Sequence, residues 1–324
     1  MTTSTDCRYE ESSFPSDVDG ARIFLRKWTP SASGTPRAAV QITHGICEHG
    51  GRYDRLARYL AARNYVVFAL DLRGHGRTAG VAALGQAGLT AWADMTSDIA
   101  QLSRMIGMQY RDLPLIAFGH SMGSALTQSH IQNHGSLLAG AVLCGTLGAL
   151  PGIDDDTLEK LRVVAHSADG NQPAMLLGAV LQAFNAPFVH PGQPSTGCEW
   201  MTADPVEIQR FLDDELCGKP FSNSMLYSVL EGFRSLWIPE HEARIPADLP
   251  ILVIAGTLDP VGENTISIQS LIARYMRQGH LALTCRFYPG DRHEILNDHN
   301  RDLVQHDIDA WLGSVLLRRQ HEPT

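Results

Sequence analysis

The sequence predicts an α/β protein: a mostly parallel central sheet with helices on both faces, interrupted by one long insertion. Three observations predict it. Short apolar, β-branched segments recur and run into glycine or polar residues, helical repeats separate them, and the alternation lapses once, between about 147 and 245, before resuming.

The first of these segments, "AAVQITHG" (38–45), is apolar without strict alternation, as strands buried on both faces are. Tyr53, Leu56, Ala57 and Leu60 then share one helical face, and "YVVFALDLRG" (65–74) makes the next strand. "LPLIAFGHS" (113–121) leads into the small-residue helix "GSALTQSHIQNH", and "LLAGAVLCGT" (137–146) reads as a further strand. The stretch 147–245 is rich in Pro, Gly and Asp, its helices are poorly delimited, and it contains no clear strand. "PILVIAGTLD" (250–259) restores the rhythm, followed by a helix carrying Ile268, Leu271, Ile272 and Tyr275 that stops at Gly279. "LTCRFYPG" is strand-like, and Val304, Ile308, Trp311 and Val315 define a closing helix. The expected organisation is a core of residues 15–146 and 246–324 with an inserted cap at 147–245.

At 324 residues and 44% apolar composition, the chain can bury a large core. Its net charge of −9, from 26 basic and 35 acidic residues, supplies no broad positive field, so nucleic acid is not an expected partner. Six scattered cysteines form no CxxC pair, which argues against a zinc ribbon or a disulfide scaffold. The polar, acidic start "MTTSTDCRYEESSFPSD" lacks the pattern of a secretory signal, so a reduced, cytoplasmic protein is expected. The richest apolar run, "PAMLLGAVLQAFNAPFV" at 173–189, falls short of a spanning helix, though it is compatible with transient contact with a membrane or lipid aggregate.

The chemistry centres on "GHSMG" at 119–123. A Gly-x-Ser-x-Gly match carries little by itself, but here a strand leads in and a helix leads out, the setting that forces a serine onto an exposed, strained turn. A serine hydroxyl needs an imidazole to take its proton and a carboxylate to orient that imidazole. Asp259, directly after the strand at 250–258, and His293, in the loop "GDRHEILND", stand in the order serine, acid, base. Among the rivals, His120 neighbours the serine on a tight turn and points away from it. His299 and His306 belong to the solvated surface of the last helix. Asp291 is too close to His293 in sequence to orient it, and the acidic run at 154–156 reads as insertion surface.

The N–H of Met122 is one expected oxyanion donor, and Ile46 in "THGICEHGGRY" (43–53) is the second. His44 and His49 are expected to brace that loop. "HEILN" (293–297) has Asn297 where a zinc-protease helix needs its second histidine, so no metal site is expected there. "GHGRTAG" (74–80) has the wrong glycine spacing for a dinucleotide, and no cofactor is implied.

"HGICEHGGRYDRLARYLAARNYVVFALDLRGHGRTAG", "GHSMGSAL", "GTLDPVGEN" and "FYPGDRHEILND" together resemble the monoacylglycerol lipase and lysophospholipase branch of the α/β-hydrolase superfamily, and "ADPVEIQRFLDDELCGKPFS" resembles its bacterial cap segments. The resemblance implies an α/β-hydrolase fold and a serine hydrolase with a mobile cap over an apolar acyl tunnel, its substrate a small-molecule ester of a medium- or long-chain acid. It carries Ser121, Asp259 and His293 over as the triad and Ile46 and Met122 as oxyanion donors. It also places Glu48 and Arg52 near the alcohol side of the site, against the alternative of a loop-bracing ion pair. Thr78 stands where serine is commoner, and Cys47 inside the oxyanion loop implies sensitivity to thiol reagents. Thioesterase or peptidase chemistry, or ligand binding without turnover, are the competing readings on this scaffold.

Overall fold

The computed structural model describes residues 7–31, 34–150 and 153–321. The first six residues of the N-terminal stretch read above, and the last three of the expected core, lie outside the described residues. Along the chain come β1 (Cys7–Pro15), β2 (Arg22–Pro30), β3 (Ala38–Thr43), α1 (Asp54–Ala61), β4 (Tyr65–Leu70), α2 (Gly76–Ala79), α3 (Ala91–Gln109), β5 (Leu115–His120), α4 (Met122–His134) and β6 (Gly140–Cys144). Helices α5 (Asp155–Ala165), α6 (Met175–Asn185), α7 (Pro205–Asp213), α8 (Asn223–Leu236) and α9 (Pro239–Glu242) follow. The chain then returns to β7 (Ile251–Gly256), α10 (Ile266–Arg277), β8 (Leu283–Tyr288) and α11 (Arg301–His321).

Every residue of β3 to β7 is buried, which is why these strands read as unbroken apolar runs. They form the centre of an eight-stranded sheet in the order β1-β2-β4-β3-β5-β6-β7-β8. Pairing is parallel from β4 through β8, and β1 and β2 add antiparallel at one edge. Successive residues face opposite sides of the sheet. Val40 and Ile42 of β3, Phe118 of β5 and Ile254 of β7 pack under α1 and α11, while Ala39, Ala117 and Val253 face α3, α4, α8 and α10.

Two elements are absent from the periodicity reading. The β1-β2 hairpin escaped it because β1 is exposed along most of its length and β2 buries a charged residue, Arg26, ion-paired with Asp71. Helix α3 buries Ala91, Met95, Ile99, Leu102 and Ile106, a helical spacing the sequence carries openly. Between β6 and β7 the described residues contain helices and one isolated bridge, Pro173 to Ser222, but no named strand. Among the described residues no helix is long and apolar enough to cross a membrane.

Candidate active site

Parallel strands deliver their carboxyl ends to one edge of the sheet, and the loops there converge. Ser121 sits between the end of β5 and the start of α4 with φ +56° and ψ −123°, backbone angles that cost a side-chain-bearing residue about 1–3 kcal/mol. Clearance decides the neighbours. A Cβ at Gly119 would collide with the Gly123 carbonyl oxygen, and one at Gly123 with the carbonyls of Thr43 and His44, so strand, turn and helix approach only through glycine. The Ser121 N–H donates to the Cys144 carbonyl at 3.0 Å, tying the turn to β6.

Asp259, fully buried in the loop after β7, lies with both carboxylate oxygens 3.0 Å from His293 Nδ1. An ionised carboxylate only accepts, so Nδ1 carries the proton and Nε2 is left as a bare lone pair, the tautomer a general base requires. Nε2 is buried and makes no hydrogen bond to another described protein group. Asp259 Oδ1 also accepts from the Val261 N–H at 2.9 Å, which fixes its rotamer. Asp291 instead accepts from Asn300, and burial pushes its carboxyl up to about 6. His299 and His306 are exposed.

The 43–53 loop lies against the serine: a Cβ on Gly45 would stand 3.1 Å from Ser121 Cβ. Ile46, Ser121 and Met122 line one apolar cavity together. The Met122 N–H belongs to the first turn of α4, where a helix leaves its donors without internal acceptors. His44 braces this loop, its Nδ1 toward the Gly45 carbonyl at 2.8 Å and its Nε2 accepting from the Leu72 N–H at 2.9 Å.

Glu48 and Arg52 form the ion pair that stood as the alternative to a place beside the alcohol, and they share a buried network with Glu294, which sequence reasoning did not single out. Glu48 Oε1 accepts from the Gly45 N–H at 2.6 Å and the Tyr53 hydroxyl at 2.8 Å, and Oε2 accepts from Arg52 at 2.8 Å. Arg52 also forks onto both oxygens of Glu294, at 2.6 and 2.8 Å. Burial alone would raise the Glu48 carboxyl, but the His120 contact and the Arg52 guanidinium outweigh it and hold it well below the usual carboxylate range. The same opposition, burial against Arg52, leaves Glu294 lowered. Glu48 and Glu294 line a second, more polar cavity with Ser121, His120 and His293, whereas Arg52 lies behind it. Burial also pushes the Cys47 thiol up to about 12, a direction that disfavours the thiolate on which thiol reagents act.

Beside the site, His49 Nε2, an Asp214 oxygen and Cys217 Sγ lie within 4.8 Å of one another. The Gly51 N–H donates to His49 Nδ1 at 3.1 Å, which puts the imidazole proton on Nε2, and Nε2 donates to Asp214 at 2.8 Å. The His49–Asp214 bond ties the 43–53 loop to the segment after α7, assisted by Gly218 N–H to the Cys47 carbonyl at 2.9 Å.

The eight-stranded sheet, the elbow after β5 and the loops at its carboxyl edge define an α/β hydrolase. The chain belongs to the family described as serine aminopeptidase, S33 (Hydrolase_4), which it matches over residues 34–300. It is 28% identical to a monoacylglycerol lipase of Mycolicibacterium smegmatis over 302 residues, 92% of this chain and 95% of that protein. With the human monoglyceride lipase it shares 34% identity over 131 residues, 40% of this chain and 41% of the relative. Among solved structures it is similar to a thermostable carboxyl esterase from Bacillus coagulans, in complex with glycerol. There the TM-score is 0.85 and the identity 29%, over 95% of this chain and 99% of that one.

Proposed function

We propose that the protein is a serine hydrolase that cleaves carboxylic esters of medium- or long-chain acids, of the monoacylglycerol or lysophospholipid type, through an acyl-enzyme on Ser121. The observation that carries this reading is the serine elbow with a carboxylate-oriented imidazole nearby, at the edge of an apolar cavity lined by Leu177, Leu181, Leu230 and Phe233. In the proposed cycle His293 Nε2 takes the Ser121 proton as Oγ attacks the ester carbon. The N–H groups of Ile46 and Met122 receive the oxyanion, and the imidazolium returns its proton to the leaving alcohol. Water then repeats the sequence on the acyl-enzyme, with the acyl chain in the apolar cavity. The alcohol is assigned to the polar cavity, with Glu48 on its wall and Arg52 holding Glu48 from behind.

Replacing Ser121 by Ala with the fold retained is expected to lower turnover of a test ester by about 10⁴-fold or more, and Asp259→Asn by about 10⁴-fold through the wrong tautomer. Retained activity in S121A, or failure of a fluorophosphonate to label Ser121 in folded protein, would overturn the reading. An ester panel graded by chain length and headgroup then narrows the substrate. The family description favours a peptidase as the second reading. Against it, an aminopeptidase must hold a substrate ammonium, and Glu48 and Glu294, the carboxylates on the wall of the second cavity, are both already ion-paired with Arg52. Contact with a lipid aggregate is assigned to the inserted segment, where Met175 on α6 is 84% exposed and no charged residue occurs from 173 to 189.

A further inference from the structure

His293 belongs to a loop, residues 291–300, with no helix or strand of its own. Asp259 holds one edge of its ring, which leaves the tilt of the ring about that contact open. The inserted segment supplies the missing restraint. The indole of Trp200 stacks on the His293 imidazole, with ring centroids 5.0 Å apart and planes 30° apart. The carbonyls of Trp200 and Met201 accept the N–H groups of His293 at 3.4 Å and Glu294 at 2.7 Å. The Arg292 guanidinium completes the seam by donating to the carbonyls of Glu199 at 2.5 Å and Thr202 at 3.2 Å.

Trp200 is itself held in place. It is 6% exposed, and its backbone N–H donates to Asn185 Oδ1 at 2.9 Å. Asn185 is the last residue of α6, whose Leu177, Leu181 and Phe184 line the apolar cavity. One short run of bonds therefore joins the acyl-cavity wall to the base.

We infer that Trp200 is a positioning residue for His293: its indole face fixes the tilt of the imidazole and stabilises the imidazolium formed when the Ser121 proton is taken. This inference rests on the ester-hydrolase reading of Ser121, His293 and Asp259. Its physical basis is the attraction of a desolvated cation to the face of a tryptophan ring. The other charged or titratable groups near His293 are Asp259 after β7, Cys144 at the end of β6, and His120 at the end of β5, whose ring centroid is 4.7 Å away and whose Nδ1 lies 3.5 Å from Glu48. Arg292 and Glu294 flank it in its own loop, the latter paired with Arg52. All of these remain in a Trp200 variant, so a change in pH profile reports the indole.

The test compares Trp200→Phe, which keeps an aromatic face, with Trp200→Leu, which keeps apolar volume, on 4-nitrophenyl butanoate. For W200L the expected result is a fall in kcat of roughly tenfold with KM within about twofold, and an acid limb of kcat/KM moved to lower pH by roughly half to one unit. W200F is expected to stay within about threefold of wild type with its acid limb in place. Effects confined to KM, an unmoved acid limb, or equal losses in W200F and W200L would overturn the inference, because a residue that only walls the cavity gives those outcomes. A second readout does not need W200L to fold. The Trp200 emission, taken as wild type minus W200F, is expected to be quenched as pH falls through the acid limb and to lose that quench in His293→Ala. A pH-independent difference overturns the proposal. Wild-type protein that turns over no ester and takes no fluorophosphonate overturns the ester-hydrolase reading and this inference with it, whereas active wild type with unaltered W200L overturns this inference alone.

Discussion

Replacing Arg52 by Met leaves two buried carboxylates without their shared cation. The side chains of Glu48 and Glu294 are 4% and 6% exposed, and that of Arg52 is 11% exposed, so solvent offers little compensation. Breaking one side of a buried ion pair costs about 3–5 kcal/mol. Across a chain of this length that corresponds to a fall in Tm of roughly 4–7 °C near neutral pH. The pH dependence follows from the direction of the shifts. In the wild type both carboxyls titrate below their ordinary range, so the network contributes stability above about pH 4.3, the unfolded value, and loses it as pH falls through the lower folded values. In Arg52→Met burial acts with less opposition and raises both carboxyls, so the variant's deficit is largest at pH 7–8 and shrinks toward pH 5 as they take up protons. Differential scanning calorimetry of wild type, R52M and R52K at pH 5, 6, 7 and 8 measures this, with R52K intermediate because it keeps the charge but not the fork. Adding Glu294→Gln to R52M is expected to recover part of the loss. A variant within 1 °C of wild type at pH 8, or a deficit equal at pH 5 and pH 8, would refute the reasoning.

Three further outcomes follow from the same geometry. Gly123→Ala drives a Cβ into the Thr43 and His44 carbonyls, which are backbone and cannot rotate away, so little soluble, tightly packed protein is expected; good yield with native near-ultraviolet circular dichroism would contradict the clearance argument. Leu230→Trp fills part of the apolar cavity and is expected to raise KM for a dodecanoyl ester by about tenfold while leaving a butanoyl ester unchanged; an unaltered chain-length profile would remove the acyl chain from that cavity. Iodoacetamide at pH 7.5 is expected to spare Cys47 and activity in the folded protein, and rapid alkylation of Cys47 by mass spectrometry would show that the loop opens.

Much of the fold was legible because the central strands are buried on both faces and therefore spelled as apolar runs between helical repeats. The hairpin β1-β2 was not. An edge strand packs one face at most, and the buried position Arg26 depends on Asp71, a partner supplied by the loop after β4. The elbow was legible for a different reason: Gly119, Ser121 and Gly123 lie within five residues, and the close approaches there, Gly119 to the Gly123 carbonyl and Gly123 to the Thr43 and His44 carbonyls, admit only glycine and so constrain spelling directly. Asp259 and His293 were legible from order and position at strand ends, and the two are in hydrogen-bond contact.

Glu294 illustrates where that kind of legibility stops. In the sequence it appears only as the second letter of "HEILN", a fragment of a zinc motif that fails at Asn297. In the fold it is the counter-ion of Arg52, which stands 242 residues earlier in the chain. Nothing local distinguishes a glutamate that will be solvated from one that will fork a guanidinium, since either satisfies the backbone equally well. What does distinguish them is the desolvation each must survive: a carboxylate with 6% exposure persists as a charge only if a cation or several hydrogen-bond donors meet it, and for Glu294 that is the Arg52 fork. Of the two residues expected by the substrate alcohol, Glu48 lines the second, more polar cavity and Arg52 does not. Arg52 itself already serves two carboxylates, and through them it joins the 43–53 loop to the loop that carries His293, so on the proposed mechanism its substitution is expected to disturb the oxyanion donors and the base at once.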